Sequence, residues 1–226
     1  MAPRSRSAVT VEIISSTTTG SSRRHRGAGS SNGVRFMDEE IVKRDNQLLV
    51  LYPDIEPGFL LWLHENGYFT APASTKYHGN YEGGLFDHSY AVANTLTRLT
   101  DDCELTWSNP RSPVVVGLFH DICKIDQYRH PTETLYADGQ PAQEIELVRN
   151  WEYNNDTLLK GHGDKSVMML ASLIQLTEEE VMCIRYHMGA FTDKSEWNDY
   201  TRAIRKYPNV LWTHQADMIA SHIMGV

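Results

Sequence analysis

From Asp38 onward, apolar residues recur at three- and four-residue steps, the spacing that gives a helix one buried face. Leu85, His88, Val92, Leu96 and Leu99 share such a stripe, so the helix they predict carries a histidine on its apolar side. The stretch from Pro113 to Ile125 is almost wholly apolar and predicts a short buried helix, and Asp164 to Leu176 predicts another. Thr177-Glu-Glu-Glu180 has the form of a capping box, so a helix should start there and run to about Met188. Pro208 opens a last helix with Leu211, His214, Asp217, Met218 and Ser221 along one side. The pattern changes between Gln127 and Asn155, where β-favouring segments (Thr132–Ala137 and Glu144–Tyr153) flank an Asp138-Gly139 turn signal. The expected fold is therefore mainly all-α: one helical domain over residues 37–226 with a small inserted β-hairpin, and no internal repeat.

Residues 1–36 are different. They are rich in Ser, Thr, Gly and Arg, and too poor in apolar residues to build a core, which predicts a disordered tail. An organelle transit peptide, or a natural start at Met37, are the other readings of this segment. It holds six arginines and one acid, Glu12, hence +5, which leaves −13 on the remainder of a chain of net charge −8. An acidic body is a poor general binder of nucleic-acid backbones, although bound cations can reverse the field around a small phosphate. The densest apolar stretch, Phe59 to Leu63, is far short of the ~20 residues that span a bilayer, so no membrane partner is expected. Cys103, Cys123 and Cys183 lack CxxC spacing, which argues against a disulfide framework or a cysteine zinc site and fits a reducing cytoplasm.

Ten histidines in 226 residues is a raised count, but their positions matter more. His88 lies on an apolar face, His120 and Asp121 sit side by side within Val114-Val-Val-Gly-Leu-Phe-His-Asp-Ile, His187 follows Ile184 by three, and Asp217 adjoins Met218. One histidine on an apolar face is more often a hydrogen-bonded core residue than a ligand. A carboxylate there is harder to explain, because burying it without a partner costs several kcal/mol, and a cation, a metal or a donor network must accompany it. Several inward imidazoles with two inward carboxylates fit a divalent cation better than separate core accidents.

Five segments carry a resemblance: GGLFDHSYAV (83–92), GLFHDICKI (117–125), GHGDKSVMML (161–170), IRYHMGAF (184–191) and HQADMIAS (214–221). In this order, H…HD…H…H…D, they are similar to the successive motifs of the HD superfamily of metal-dependent phosphohydrolases, especially its small single-domain bacterial and phage members. The resemblance implies that His88, His120, Asp121 and Asp217 hold a first divalent ion, and that Asp121 bridges to a second held by His162 and His187. The ions would come from manganese, iron, nickel, cobalt, magnesium and zinc. Lys124 matches the lysine of the HDxxK form, three residues after Asp121. It would act with Asp121 in catalysis as a point charge toward a substrate phosphate, or else be solvated or support a ligand from behind.

Cys123 stands where the family often has glycine, and reads as an inert small residue or an oxidation-sensitive one. His78, His214 and Arg185 lie near the motifs; His214 reads as a support for Asp217 one helical turn away, and Arg185 as an anion contact. Ser166 reads as a hydrogen-bonding neighbour of His162 or as facing another helix, and Trp197 and Tyr200 as a wall for a base or as core.

The function implied is hydrolysis of a phosphomonoester or phosphodiester, nucleotide-like, by a metal-bound hydroxide. The same ligand order is similar to the inositol oxygenase branch, where two irons activate oxygen, and a non-catalytic nucleotide sensor would also keep it.

Overall fold

In a computed structural model, the structure describes residues 38–135, 143–146, 150–159 and 161–226. The tail assigned to residues 1–36 and the Asp138-Gly139 turn lie outside the described residues.

The fold is mainly helical. Helix α1 (Glu39–Leu51) starts where the Asp38 carboxylate accepts from the Glu40 N–H, and α2 (Pro57–Glu65) where the Glu56 carboxylate accepts from the Phe59 N–H ahead of a proline in the first turn. The long α3 (Gly84–Asp102) lies centrally against α4 (Ser112–Phe119) and α8 (Asn209–Met218), and α6 (Glu178–Arg185) packs on α4, α8 and α5 (Gly163–Ala171). An amphipathic α7 (Trp197–Lys206) packs on α8. The last turn of α8 widens into a π-helical segment, Ile219–Met224.

The expected α3 stripe is buried along Leu85, His88, Val92 and Leu96. The core is anchored at one end by Phe59, Tyr68, Phe69, Phe86 and Phe119, whose rings meet at tilted and edge-on angles. Each fully buried ring of this kind stabilises the fold by about 1.5–3 kcal/mol. The Tyr68 hydroxyl donates to the Leu118 carbonyl, so the one polar atom of that ring is satisfied. Arg44 grips Asp87 with two N–H groups, at 3.0 and 3.1 Å, and ties α1 to the start of α3.

The capping box is present, with the Thr177 hydroxyl accepting from the Glu180 N–H and the Glu180 carboxylate accepting from the Thr177 N–H. Glu180 also accepts from the Ser112 hydroxyl, so the cap doubles as a joint to α4.

Several element ends differ from the expected ones. The helix predicted over Pro113–Ile125 breaks after Phe119, and a separate 3-10 turn, Ile122–Ile125, follows. An apolar run keeps no record of such a break, because every position is buried in either form. The helix from the capping box ends at Arg185, short of His187, and the one expected over Asp164–Leu176 ends at Ala171. The inserted β element is an antiparallel ribbon in two steps: β1 (Tyr128–Arg129) pairs with β4 (Glu152–Tyr153), and β2 (Thr132–Leu135) with β3 (Gln143–Glu146). Among the described residues no helix is long and apolar enough to cross a membrane.

Two glycines set the spacing on which the site depends. A Cβ on Gly117 would lie 2.3 Å from the Ala93 Cα, so only glycine lets α4 come this close to α3. A Cβ on Gly163 would lie 2.1 Å from the Arg185 carbonyl oxygen, so the start of α5 presses on the end of α6 in the same way. The first contact brings His120 beside His88, and the second brings His162 beside His187.

Candidate metal centre

The other five residues singled out as ligands gather around Asp121, four histidines facing its carboxylate and Asp217 reaching the centre through His88. Asp121 stands at the break after α4, with backbone angles of φ −106° and ψ 16° in the sparsely populated bridge region. His120 precedes it as the cap of α4, His88 comes from the second turn of α3, and Asp217 from the last turn of α8. His162 caps the start of α5, where its carbonyl accepts from the Ser166 N–H, and His187 follows the end of α6. His88, His120 and His187 are 0–1% exposed and Asp121 2%.

The two carboxylate oxygens face different partners. Oδ1 lies 2.8 Å from His162 Nε2 and 3.3 Å from His187 Nε2. Oδ2 lies 3.6 Å from His88 Nε2, 3.5 Å from His120 Nε2 and 2.6 Å from Lys124 Nζ. Asp217 Oδ1 approaches His88 Nε2 at 3.2 Å.

Three rings have their tautomer fixed by what holds them from behind. His88 Nδ1 is 2.9 Å from the Val226 backbone oxygen, His120 Nδ1 2.9 Å from the Gly117 carbonyl, and His187 Nδ1 2.7 Å from the Ile184 carbonyl. A backbone oxygen only accepts, so each Nδ1 carries a proton and donates, which turns Nε2 toward the centre. There, His88 Nε2 and His120 Nε2 are 3.3 Å apart. Asp121 Oδ1 and His187 Nε2 are both buried with no hydrogen-bond partner, and the short approach of His162 to Oδ1 is off the hydrogen-bonding direction. Each such orphan costs about 1–3 kcal/mol, and a cation among these atoms would turn every one of them into a ligand.

The donor set fits that need. One atom from each residue falls within 4.8 Å of the others in three groups: His88, His120 and Asp121; His120, His187 and Asp217; and Asp121, His162 and His187. These buried His/Asp groups can hold a metal ion.

The charges are arranged to match. Burial acts to raise the Asp121 pKa, but Lys124, His120 and His162 outweigh it and hold the group well below the usual carboxylate range. Asp217 is likewise held low against its burial, by its bond to His88 and by the charge of His120. Burial opposes a charge on His162, yet Asp121 and then Cys123 outweigh it and raise its pKa to about 10. Burial pushes His187 down, and burial with the charges of His88 and Lys124 pushes His78 down to about 4.

The centre opens into a cavity of about 360 Å³. Asp121, His162 and Asp217 reach it, and its walls include His78, Lys124, Gln127, Tyr128, Tyr153, Phe191 and His214. The ribbon thus contributes Tyr128 and Tyr153, their rings tilted at 60° with centroids 5.3 Å apart, and His78 lies 5.0 Å from the His88 ring. Sequence reasoning gave no role to Gln127 or to these tyrosines, since nothing local marks which face of a short ribbon meets a helix bundle.

The remaining residues sort clearly. Lys124 is buried, bonded to Asp121 and at the cavity wall, so it is not a solvated lysine. His214 donates from Nδ1 to the His187 carbonyl at 2.8 Å, which makes it a brace for the His187 turn as well as a cavity wall. Ser166 accepts from the Cys123 N–H at 3.2 Å, joining α5 to the turn after Asp121. Arg185 is not in the cavity: it pairs with Asp164 and Glu196, and lines a separate depression of about 620 Å³ between α6 and α7 that contains none of the six ligand candidates. Trp197 and Tyr200 do not wall the cavity either. The Trp197 indole N–H donates to the Thr192 carbonyl, and the Tyr200 ring packs on Tyr186. Lys165 is buried and paired with Asp126, away from the carboxylates of the centre.

Set against protein-family models, curated proteins and solved structures, the chain matches none of them.

Proposed function

We propose that the chain is a metal-dependent phosphohydrolase of the HD type, acting on a phosphomonoester or phosphodiester of nucleotide-like size and holding two divalent ions. The observation that carries this reading is the environment of Asp121: one buried carboxylate, with one oxygen facing His162 and His187 and the other facing His88 and His120. A single ion needs no such division. The order of these residues along the chain, H…HD…H…H…D, supports phosphoester hydrolysis as the use of the site.

When bound, divalent ions would polarise a phosphoryl oxygen and acidify a coordinated water. The chain's own groups supply the rest. Asp121 would serve both ions, with His88, His120 and Asp217 holding one and His162 and His187 the other. Backbone oxygens hold three of the imidazoles by Nδ1, so that each presents Nε2. Lys124 keeps a fixed positive charge at the cavity wall, where it attracts an anionic substrate and balances the carboxylate. A cavity of about 360 Å³ admits a small molecule and not a folded polymer.

The test is metal analysis of anaerobically purified protein, followed by a phosphoester panel under nitrogen with manganese, cobalt or nickel. Phosphate release from at least one small ester is expected. Oxygen uptake without phosphate release would replace this reading with the oxygenase one, and tight nucleotide binding without turnover in any metal would replace it with the sensor.

A further inference from the structure

Of the four imidazoles around Asp121, His162 is the one whose Nδ1 rests on a side chain. Its partner is Cys123 Sγ at 3.3 Å, fully buried in the turn that follows Asp121. The thiol is itself fixed: its backbone N–H donates to Ser166 Oγ at 3.2 Å, and Sγ lies 3.7 Å from Gln127 Oε1. Gln127 in turn donates from Nε2 to the Tyr128 hydroxyl at 3.3 Å. The line from ring to cavity wall is therefore continuous.

The sense of this line follows from its inner end. His162 Nε2 lies 2.8 Å from Asp121 Oδ1, on the side where it would meet an ion, so in that role the ring keeps its one proton on Nδ1. With an ion at Nε2, the Nδ1–H donates to Sγ and the S–H donates to Gln127 Oε1. Every group then has a role it can fill.

We propose that Cys123 is a positioning residue: its sulfur holds the His162 ring, in both rotation and tautomer, as a ligand for the second ion. The proposal rests on the two-ion reading above. It assigns Cys123 a task that backbone oxygens perform for the other three rings, and so makes the second position depend on a replaceable atom. Loss of a partner of this kind weakens metal binding by about 10–100-fold.

The experiment is equilibrium dialysis of the full chain against buffered Zn²⁺, with metal per chain read by elemental analysis, for wild type, Cys123→Ala and Cys123→Ser, each with and without His162→Ala. Cys123→Ala should weaken one of two zinc ions by about tenfold or more and leave the other unchanged. Cys123→Ser, whose hydroxyl still accepts from Nδ1 and donates to Gln127, should recover most of the loss. In the His162→Ala background neither change should matter, because the ring they act on is gone. Should Cys123→Ala not fold, Cys123→Val removes the acceptor, keeps the space filled and is read the same way. Two-ion binding unaltered by Cys123→Ala, or a loss that persists in the His162→Ala background, would overturn the proposal and leave the two-ion reading intact. A wild-type chain that takes up only one zinc would overturn the two-ion reading, and the proposal with it.

Discussion

The two halves of the centre are built differently. His88 and His120 are fully buried, come from helices in direct backbone contact across Gly117, and are held from behind by main-chain oxygens. In the other half, the His162 side chain is 26% exposed, sits at a helix start and leans on a thiol. The two imidazoles of the first half are therefore closed in and firmly held, while His162 in the second borders the cavity and can respond to what surrounds it. On the two-ion proposal, the closed half would be the less responsive of the two to changes around the cavity.

Asp121→Asn is the harshest way to break the contrast, because the residue belongs to both halves. It should abolish uptake of every ion and all turnover. It also strands Lys124, a buried cation 2.6 Å from Oδ2, and breaking a buried pair costs about 3–5 kcal/mol. Denaturant unfolding of the metal-free protein should show that loss, and adding Lys124→Met should restore much of the stability without restoring metal.

Gly117→Ala tests whether the closed half is rigid. The new methyl would meet the Ala93 backbone, and overpacking of this kind costs about 1–3 kcal/mol. Thermal unfolding should register it, and affinity should fall chiefly for the ion near His88 and His120. An effect confined to the ion near His162 would contradict the division.

His162→Ala should be gentler on the fold and selective for metal. With a partly exposed side chain removed, the circular dichroism spectrum should be unchanged, about one ion per chain should remain, and turnover should drop sharply. His88→Ala should instead weaken the first ion and lower stability, since that ring fills core space. Full activity and unchanged metal content in folded His162→Ala and His187→Ala would make the site mononuclear.

The smallest effect concerns protons. With its pKa raised to about 10, His162 is protonated at neutral pH before an ion arrives, and the ion must displace that proton. Uptake of the second ion at pH 7 should release about one proton per chain, and affinity there should rise with pH up to about 10 and then level. Release measured in a weakly buffered solution should vanish in His162→Ala.

Much of this was legible in the chain. The α3 stripe, the capping box and the helix after Pro208 follow local rules, and local rules survive into the fold. Five of the six ligand candidates were marked by one oddity, polar groups on faces that should be apolar, and such groups are driven toward each other by the cost of burying them apart; His162 came only from the resemblance of its segment. What was not legible depends on distance along the chain. Cys123 meets His162 across 39 positions, and no periodicity encodes such a pair. The break between Phe119 and Ile122 was hidden because a uniformly apolar segment reads the same whether helical or kinked. Arg185, Trp197 and Tyr200 looked near the site because they are near motif residues in sequence, but a helix face turned away is near in number only.

The pair of glycines carries a consequence for transplanting the centre. Moving six side chains onto another bundle would copy the chemistry and leave out the ruler, because the gap between the helices is set where main chain meets main chain. A host with ordinary helix spacing would hold the same residues too far apart. In a selection for activity, Gly117 and Gly163 should therefore prove as intolerant of change as the ligands they bring together.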